Sequence, residues 1–183
     1  TETSAPEKYN GLTGNITVEV EKGVTGSNNK IYVATNAKLT SGEDQGAKVR
    51  LEGDTIVITV PNTPIEGNYN VQLEKVDEEG DVITESEAEF SWTLPGQSNA
   101  QTGTTTNGTL NLGTVQITDI ENPDTITLIE TKAPEGYNGT IGNISVKVEK
   151  GISGSNKKIY QATNVELIEA GSNGATVKLE GNT

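Results

Sequence analysis

Apolar and polar residues alternate along much of the chain, and this alternation predicts β-strands. Ile16, Val18 and Val20 are separated by polar residues, and a period of two is typical of a strand with one buried face. Stretches rich in Gly, Ser and Asn, such as residues 23–29 and 151–157, indicate turns between strands. Many short strands joined by such turns predict an all-β, antiparallel sandwich fold. The further predicted strands are residues 31–34, 48–52, 56–61, 70–76, 87–93, 109–119, 125–131, 144–148, 159–162 and 175–180.

An internal repeat organises the chain. Residues 1–55 align with residues 129–183 at a constant offset of 128, without a gap and with 33 identities in 55. We therefore predict two domains: residues 1–66 form the C-terminal part of one repeat, and residues 67–183 form a second repeat that lacks its last strand. The sequence is interpreted as a window of a longer tandem array whose neighbouring repeats supply the missing strands. Exchange of strands between separate subunits is the alternative.

The composition narrows the range of functions. Acidic residues outnumber basic ones by 26 to 13, and the formal charge of −13 argues against binding to nucleic acid or to an anionic membrane surface. The absence of His and Cys excludes Ser–His–Asp catalysis, most zinc sites and thiol nucleophiles. No apolar run approaches the roughly 18 residues of a spanning helix. We expect neither a turnover enzyme nor a cofactor.

Three polar residues extend rows of apolar side chains on predicted inward faces: Lys75, Glu130 and Asn62. Lys75, for example, follows Val71 and Leu73 at a spacing of two. A buried amine or carboxyl group tends towards its neutral form, and a neutral amine is a nucleophile. A Lys and an Asn in a dry core can therefore condense to an isopeptide bond with loss of ammonia. The alternative is that these residues reach solvent at strand ends or belong to turns.

Several motifs resemble one family. Ile129–Tyr137, with the sequence IETKAPEGY, resembles the E-box of Cna B-type domains, the prealbumin-like sandwich modules of Gram-positive adhesins and SpaA-type pilins. Thr1–Tyr9 is similar to the same motif, with Lys8 where Gly is usual. Val71–Gly80 is similar to the opening strand of the family, and Ile58–Pro64 to its closing strand. The resemblance implies tandem antiparallel sandwiches of the Ig-like or prealbumin-like type.

The resemblance also implies roles for four residues. Lys75 would donate the amine of an isopeptide bond, and Glu130 would be the catalytic acid of that domain. Asn62 would be the acceptor in the preceding domain, with Glu2 as its catalytic acid. The Asn partner of Lys75 is expected beyond residue 183, and the Lys partner of Asn62 before residue 1. Such a bond forms once per domain, without turnover, cofactor or metal.

The leading hypothesis is a structural stalk or fibre module of a secreted bacterial adhesin or pilus, located at the cell surface, in the cell wall or in a pilus. Its partners would be neighbouring repeats of the same chain or like subunits in a fibre. The alternative is an adhesin module that binds a host protein or glycan, with Trp92 as a weak candidate for stacking on a sugar ring. A calcium site at Asp77–Asp81 is weaker still, because the spacing lacks the ligands of an EF-hand loop.

Overall fold

Strands make up nearly all regular structure in the computed structural model, which describes residues 1–155 and 157–183. Asn156, in the predicted turn 151–157, lies outside the described residues. The described part contains one short 3-10 helix, Glu43–Gln45, and no helix long and apolar enough to cross a membrane. The all-β prediction is confirmed. The strands are β1 (Tyr9–Asn10), β2 (Thr17–Thr25), β3 (Ile31–Ser41), β4 (Lys48–Glu52), β5 (Thr55–Thr59), β6 (Thr63–Pro64), β7 (Asn68–Glu74), β8 (Glu89–Thr93), β9 (Gln101–Thr104), β10 (Thr109–Gln116), β11 (Asp124–Lys132), β12 (Ile144–Ser153) and β13 (Ile159–Ala170).

The chain divides into two compact units. The first unit comprises Thr1–Ile65 and Ser155–Lys157, and the second comprises Glu66–Gly154 and Lys158–Thr183. Three antiparallel pairs form the first unit: β1 with β6, β2 with β3, and β4 with β5. The second unit has a five-stranded sheet in the order β13-β12-β11-β8-β9 and a two-stranded sheet of β10 and β7. All of its ladders are antiparallel, and side chains of the two sheets meet in a sandwich.

The internal repeat reproduces local geometry as well as sequence. The β2–β3 hairpin has register shifts at Thr17/Val18 and at Glu21/Lys22. The β12–β13 hairpin has its own shifts at Ser145/Val146 and at Glu149/Lys150, each 128 residues further on. Bulges bend and twist a hairpin, so the two hairpins share a shape. The two copies can therefore be compared residue by residue.

The hydrophobic core lies in the second unit. Trp92 is 5% exposed, and its Nε1 donates a hydrogen bond to the Leu112 carbonyl oxygen at 3.0 Å. Aromatic rings of this size contribute a large apolar surface, and the indole N–H is satisfied inside the protein. The other buried apolar side chains of this core are Tyr69, Ile83, Ala88, Phe90, Leu94, Leu112, Val115, Ile117, Ile126, Leu128, Val146, Val148, Tyr160 and Ala162.

Gly67, just before β7, lies where the backbone contacts both β13 and the end of β10. The carbonyl oxygens of Glu66 and Gly67 accept hydrogen bonds from the amides of Tyr160 and Ile117, at 3.1 and 2.8 Å. Gly67 thus connects β13 to the end of β10. A Cβ at this position would lie 1.8 Å from the Tyr160 carbonyl oxygen, which a side chain cannot tolerate. The close approach of two backbones is the reason that glycine occupies this position.

Some predicted strands and turns differ from the structure. Residues 175–180 form no strand, although the equivalent residues of the first unit form β4. β4 is a strand because it pairs with β5, and residues 175–180 have no such partner among the described residues. Residues 23–25 belong to β2 rather than to a turn, because they continue its ladder with β3. Residues 101–104, which are not among the predicted strands, form β9 and pair with β8.

Candidate functional site

Glu130 lies inside the sandwich. It continues the inward row of β11, where Ile126 and Leu128 are buried and the intervening Ile129 is 43% exposed. The interpretation from strand alternation is confirmed for this residue. The β11–β8 ladder shifts register between Glu130 and Lys132, and such a bulge changes the direction of the neighbouring side chains.

Lys75 meets Glu130 across the sandwich. Its Nζ lies 3.6 Å from Glu130 Oε1, and the two side chains are 14% and 1% exposed. The Lys75 backbone follows β7 and is held on both sides: its amide donates to Gly108 O at 2.7 Å, and its carbonyl accepts from the Ile83 amide at 3.0 Å. These bonds fix the base of the side chain. The amine is therefore directed towards the buried carboxyl group.

The two carboxyl oxygens of Glu130 have different surroundings. Oε2 accepts a hydrogen bond from the Thr140 amide at 2.6 Å. Oε1 is buried and has no hydrogen-bond partner, since Lys75 Nζ at 3.6 Å is beyond hydrogen-bond distance. A buried acceptor without a donor is costly and is uncommon in folded proteins. Glu130 Oε1 is thus an unsatisfied acceptor beside the largely buried amine of Lys75.

The first unit holds a related site around Glu2. The Asn62 side-chain amide donates from Nδ2 to Glu2 Oε1 at 3.0 Å and to Oε2 at 2.9 Å, and it also lies 3.2 Å from the Asn10 carbonyl oxygen. Glu2 Oε2 accepts a further hydrogen bond from the Leu12 amide at 2.8 Å. Glu2 and Glu130 are 128 residues apart, as are Leu12 and Thr140. The two carboxyl groups therefore accept hydrogen bonds from equivalent backbone amides of the two repeats.

Each unit holds a different half of the predicted constellation. The structure brings Lys75 together with Glu130, and Asn62 together with Glu2, but it places Lys75 and Asn62 in different units. The amide donors Leu12 and Thr140 were not identified from the sequence. The available signal was the glycine that precedes each of them, because a residue without Cβ lets the backbone approach the carboxyl group. The roles of the four site residues stay predictions.

The predicted inward row that leads to Asn62 is only partly buried. Ile58 and Val60 are 47% and 42% exposed, although the alternation along the predicted strand 56–61 places both on an inward face. Nothing among the described residues of the first unit covers this face to the extent seen in the second unit. The prediction of a buried row is wrong for Ile58 and Val60 in this structure.

A second polar cluster links the sheets at the other end of the sandwich. Lys150 Nζ lies 2.6 Å from Asp124 Oδ1, and the two side chains are 4% and 15% exposed. The Tyr69 hydroxyl donates to Asp124 Oδ2 at 2.9 Å. Burial, the hydrogen bond and the negative charge of Asp124 all raise the pKa of the Tyr69 hydroxyl. This cluster was not predicted, because Tyr69 lies on β7 and is 55 residues away from Asp124 in the sequence.

Trp92 and Asp77, the remaining candidates for ligand and calcium binding, make contacts that stabilise the fold. Trp92 was a candidate for stacking on a sugar, but its ring is buried in the core and presents no open face. Its burial does not favour stacking on a sugar, and ligand binding by Trp92 stays a prediction. Asp77 Oδ1 accepts hydrogen bonds from the amides of Glu79 and Asp81, at 3.1 and 2.8 Å, so this carboxylate stabilises a turn.

The comparisons with known proteins identify the fold family. The model of the SpaA prealbumin-like fold domain matches residues 69–164, slightly more than half of the chain. The chain belongs to this family. The matched region of this SpaA-type domain runs from β7 into β13 and includes both Lys75 and Glu130. Membership supports a structural module of a pilin-type surface protein. Neither a curated protein nor a solved structure matches the chain.

Proposed function

We propose that this chain is a stalk or fibre module of a secreted bacterial adhesin or pilus, and that a Lys–Asn isopeptide bond staples each complete repeat. The observation that carries the proposal is the buried contact between Lys75 and Glu130, with an amine 3.6 Å from an unsatisfied carboxyl oxygen. The equivalent carboxyl group, Glu2, contacts the amide of Asn62. Amine, acid and amide are the three groups that the reaction requires.

The reaction needs no group beyond these three. The Lys75 amine, in its neutral form, attacks the side-chain carbonyl carbon of an Asn, and a new C–N bond forms. The Glu130 carboxyl group takes a proton from the attacking nitrogen and delivers one to the departing amide nitrogen. The C–N bond to that nitrogen breaks, and ammonia leaves. One amine and one primary amide thus give one secondary amide and ammonia, without a cofactor and without turnover.

The position of the bond suits a module that resists pulling. Lys75 directly follows β7, the first strand of the second unit, and the resemblance places the acceptor Asn at the closing strand. A covalent bond between the first and the last strand would carry force past the hydrogen-bonded ladders. We infer that the partners are neighbouring repeats or like subunits outside the cell, where a net charge of −13 favours solubility.

Intact mass tests this function. A chain extended after Thr183 by a second copy of residues 56–66 would supply an Asn equivalent to Asn62. We expect its mass to be about 17 Da below the sequence mass, the ammonia lost in one bond. Lys75→Arg retains the positive charge and Glu130→Gln retains the shape, and both should restore the full mass. A full mass in the folded, unsubstituted extended chain would contradict the isopeptide bond.

A further inference from the structure

One stretch of the second unit carries no charge. Residues 90–118 contain no Asp, Glu, Lys or Arg, so the 26 acidic and 13 basic residues of the chain all lie outside it. The stretch runs from β8 through β9 and β10, and most of its exposed residues are Ser, Thr, Asn or Gln. Two copies of a chain with a net charge of −13 repel each other, and they approach with least repulsion where neither carries charge.

The edge strand β9 lies in the middle of this uncharged stretch. The sheet order β13-β12-β11-β8-β9 gives it β8 as its one neighbour among the described strands. The Thr105 amide donates to the Ala88 carbonyl oxygen at 2.9 Å, which continues the β8–β9 ladder by one residue. Backbone groups alternate in direction along an antiparallel strand, so Gly103, like Thr105, directs its amide and carbonyl towards β8. The amides and carbonyls of Thr102 and Thr104 are directed away from β8, to the open edge.

β9 lacks most of the features that protect edge strands from pairing with other chains. Its sequence, QTGT, has no charge and no proline, and its ladder with β8 has no bulge. The opposite edge of the sheet, β13, carries the exposed side chains of Glu166 and Glu169. β10, in the other sheet, has a bulge between Asn111 and Gly113. Only the short length of β9 limits pairing, so we expect a single contact to be weak.

We propose that β9 is a docking edge for β9 of a second copy of this chain, with a two-fold axis at Gly103. In this antiparallel arrangement, Thr102 of each copy lies opposite Thr104 of the other. The outward amides and carbonyls of each Thr pair then exchange hydrogen bonds in both directions. Gly103 lies opposite its own counterpart, at the kind of position where facing residues of an antiparallel ladder are closest. Cross-strand Thr pairs add to the stability of the joined sheet.

Pairing of this kind would join modules side by side. A weak contact gains strength when it is repeated along two chains that are already held together, because each further contact forms at a high effective concentration. This gain rests on the proposed function, since it requires several modules in one fibre. The pairing of two single chains does not rest on it, because the contact needs only β9 and its uncharged surroundings.

Sedimentation equilibrium of the full chain tests the proposal. We expect a reversible monomer–dimer equilibrium between about 10 µM and about 1 mM chain. Thr102→Pro removes an amide that is directed away from β8, so it should preserve the β8–β9 ladder and weaken dimerisation at least about tenfold. Thr102→Val, the matched control, keeps the amide and should dimerise like the unsubstituted chain. Trp92 pairs with Gln101 of β9, and its fluorescence reports whether each variant keeps its core.

A charged variant and a salt series complete the test. Thr102→Glu keeps the backbone amide but places negative charge at the edge of both copies, and it should also weaken dimerisation. Because uncharged edges meet while the chains repel, dimerisation of the unsubstituted chain should strengthen from about 50 to about 500 mM salt. A chain that stays monomeric throughout, a dimer that salt weakens, or a dimer that both folded variants keep would overturn the proposal. None of these results depends on Lys75, so the isopeptide bond is tested separately.

Discussion

Tyr32 and Tyr160 are equivalent residues of the internal repeat, yet Tyr32 is 86% exposed and Tyr160 is 6% exposed. The backbone of Tyr160 is bonded to Glu66, and a parallel bridge joins it to Gly67 just before β7. No described residue of the first unit provides such a cover for Tyr32. Two similar sequences therefore form equivalent hairpins in two environments, and the segment that leads into β7 covers only the second hairpin.

We predict that hydrogen exchange will be slower in β12–β13 than in β2–β3. Both hairpins have their own ladders, but only the second belongs to a sheet with a buried face, and amide protection follows the cost of local opening. Residues 21–30 and 149–158 share seven of ten residues, so intrinsic exchange rates are closely matched. Exchange followed by mass spectrometry on matched peptides would measure the difference. Equal protection in both hairpins would contradict the prediction.

The sequence was sufficient for features that depend on short-range pattern. The alternation in residues 144–148 predicts β12, and the row that contains Ile126 and Leu128 predicts the burial of Glu130, as observed. Features that depend on a distant partner could not be predicted. Residues 175–180 have the pattern of a strand but lack a ladder, and the Tyr69 cluster combines groups from β7, β11 and β12. The alternation of apolar and polar residues identifies the inward face of a strand, but it does not identify the residues that pack against that face.

The contact between Lys75 and Glu130 should matter for stability even without a covalent bond. Lys75→Ala leaves the Glu130 carboxyl group, 1% exposed, without its cation, and we expect a loss of about 3 kcal/mol in the free energy of unfolding. Lys75→Met with Glu130→Gln removes both charges, and should recover most of that loss. Urea denaturation followed by Trp92 fluorescence gives the free energy of unfolding of the unsubstituted chain, of Lys75→Ala and of the double variant.

The double-mutant cycle is completed by Lys75→Met and Glu130→Gln as single substitutions. A coupling free energy near zero between the two substitutions would show that Lys75 and Glu130 do not interact in the folded protein. Lys132→Ala is the matched control: Lys132 pairs with Glu89 at 3.2 Å, but the two side chains are 67% and 48% exposed. Removal of an exposed pair should change the free energy of unfolding by less than about 1 kcal/mol.

The raised pKa of the Tyr69 hydroxyl predicts that the protein loses stability at alkaline pH. Its hydroxyl pKa is raised in the folded protein by burial and by Asp124, whereas an unfolded tyrosine titrates near about 10. The neutral form is thus favoured by folding, so the stabilisation is fully present below about pH 10 and is lost as the pH rises through the folded-state pKa. Urea midpoints at a series of pH values should fall above pH ~10. Tyr69→Phe should be less stable by about 1 kcal/mol at neutral pH and should have a shallower alkaline slope.

The alkaline experiment needs its own comparison, because lysines also lose charge in this range. Tyr137→Phe removes a hydroxyl from a residue that is 43% exposed, and leaves the lysines unchanged. Its alkaline slope should equal that of the unsubstituted chain. If Tyr69→Phe and Tyr137→Phe show the same slope, the ionisation of Tyr69 does not determine the alkaline loss.

Lys8 and Gly136 allow a test of backbone strain at equivalent positions. Both lie in a turn closed by a hydrogen bond from a Tyr amide to a Pro carbonyl oxygen, and both have positive φ, 66° for Lys8 and 85° for Gly136. A side chain in this conformation costs roughly 1–2 kcal/mol, part of which glycine returns as greater freedom in the unfolded chain. We expect Gly136→Lys to destabilise the second unit by about 1 kcal/mol, measured by Trp92 fluorescence in urea. Lys8→Gly should stabilise the first unit and should therefore slow the hydrogen exchange of the amides around β1. A destabilising effect of Lys8→Gly would mean that the Lys8 side chain contributes more than its backbone strain costs.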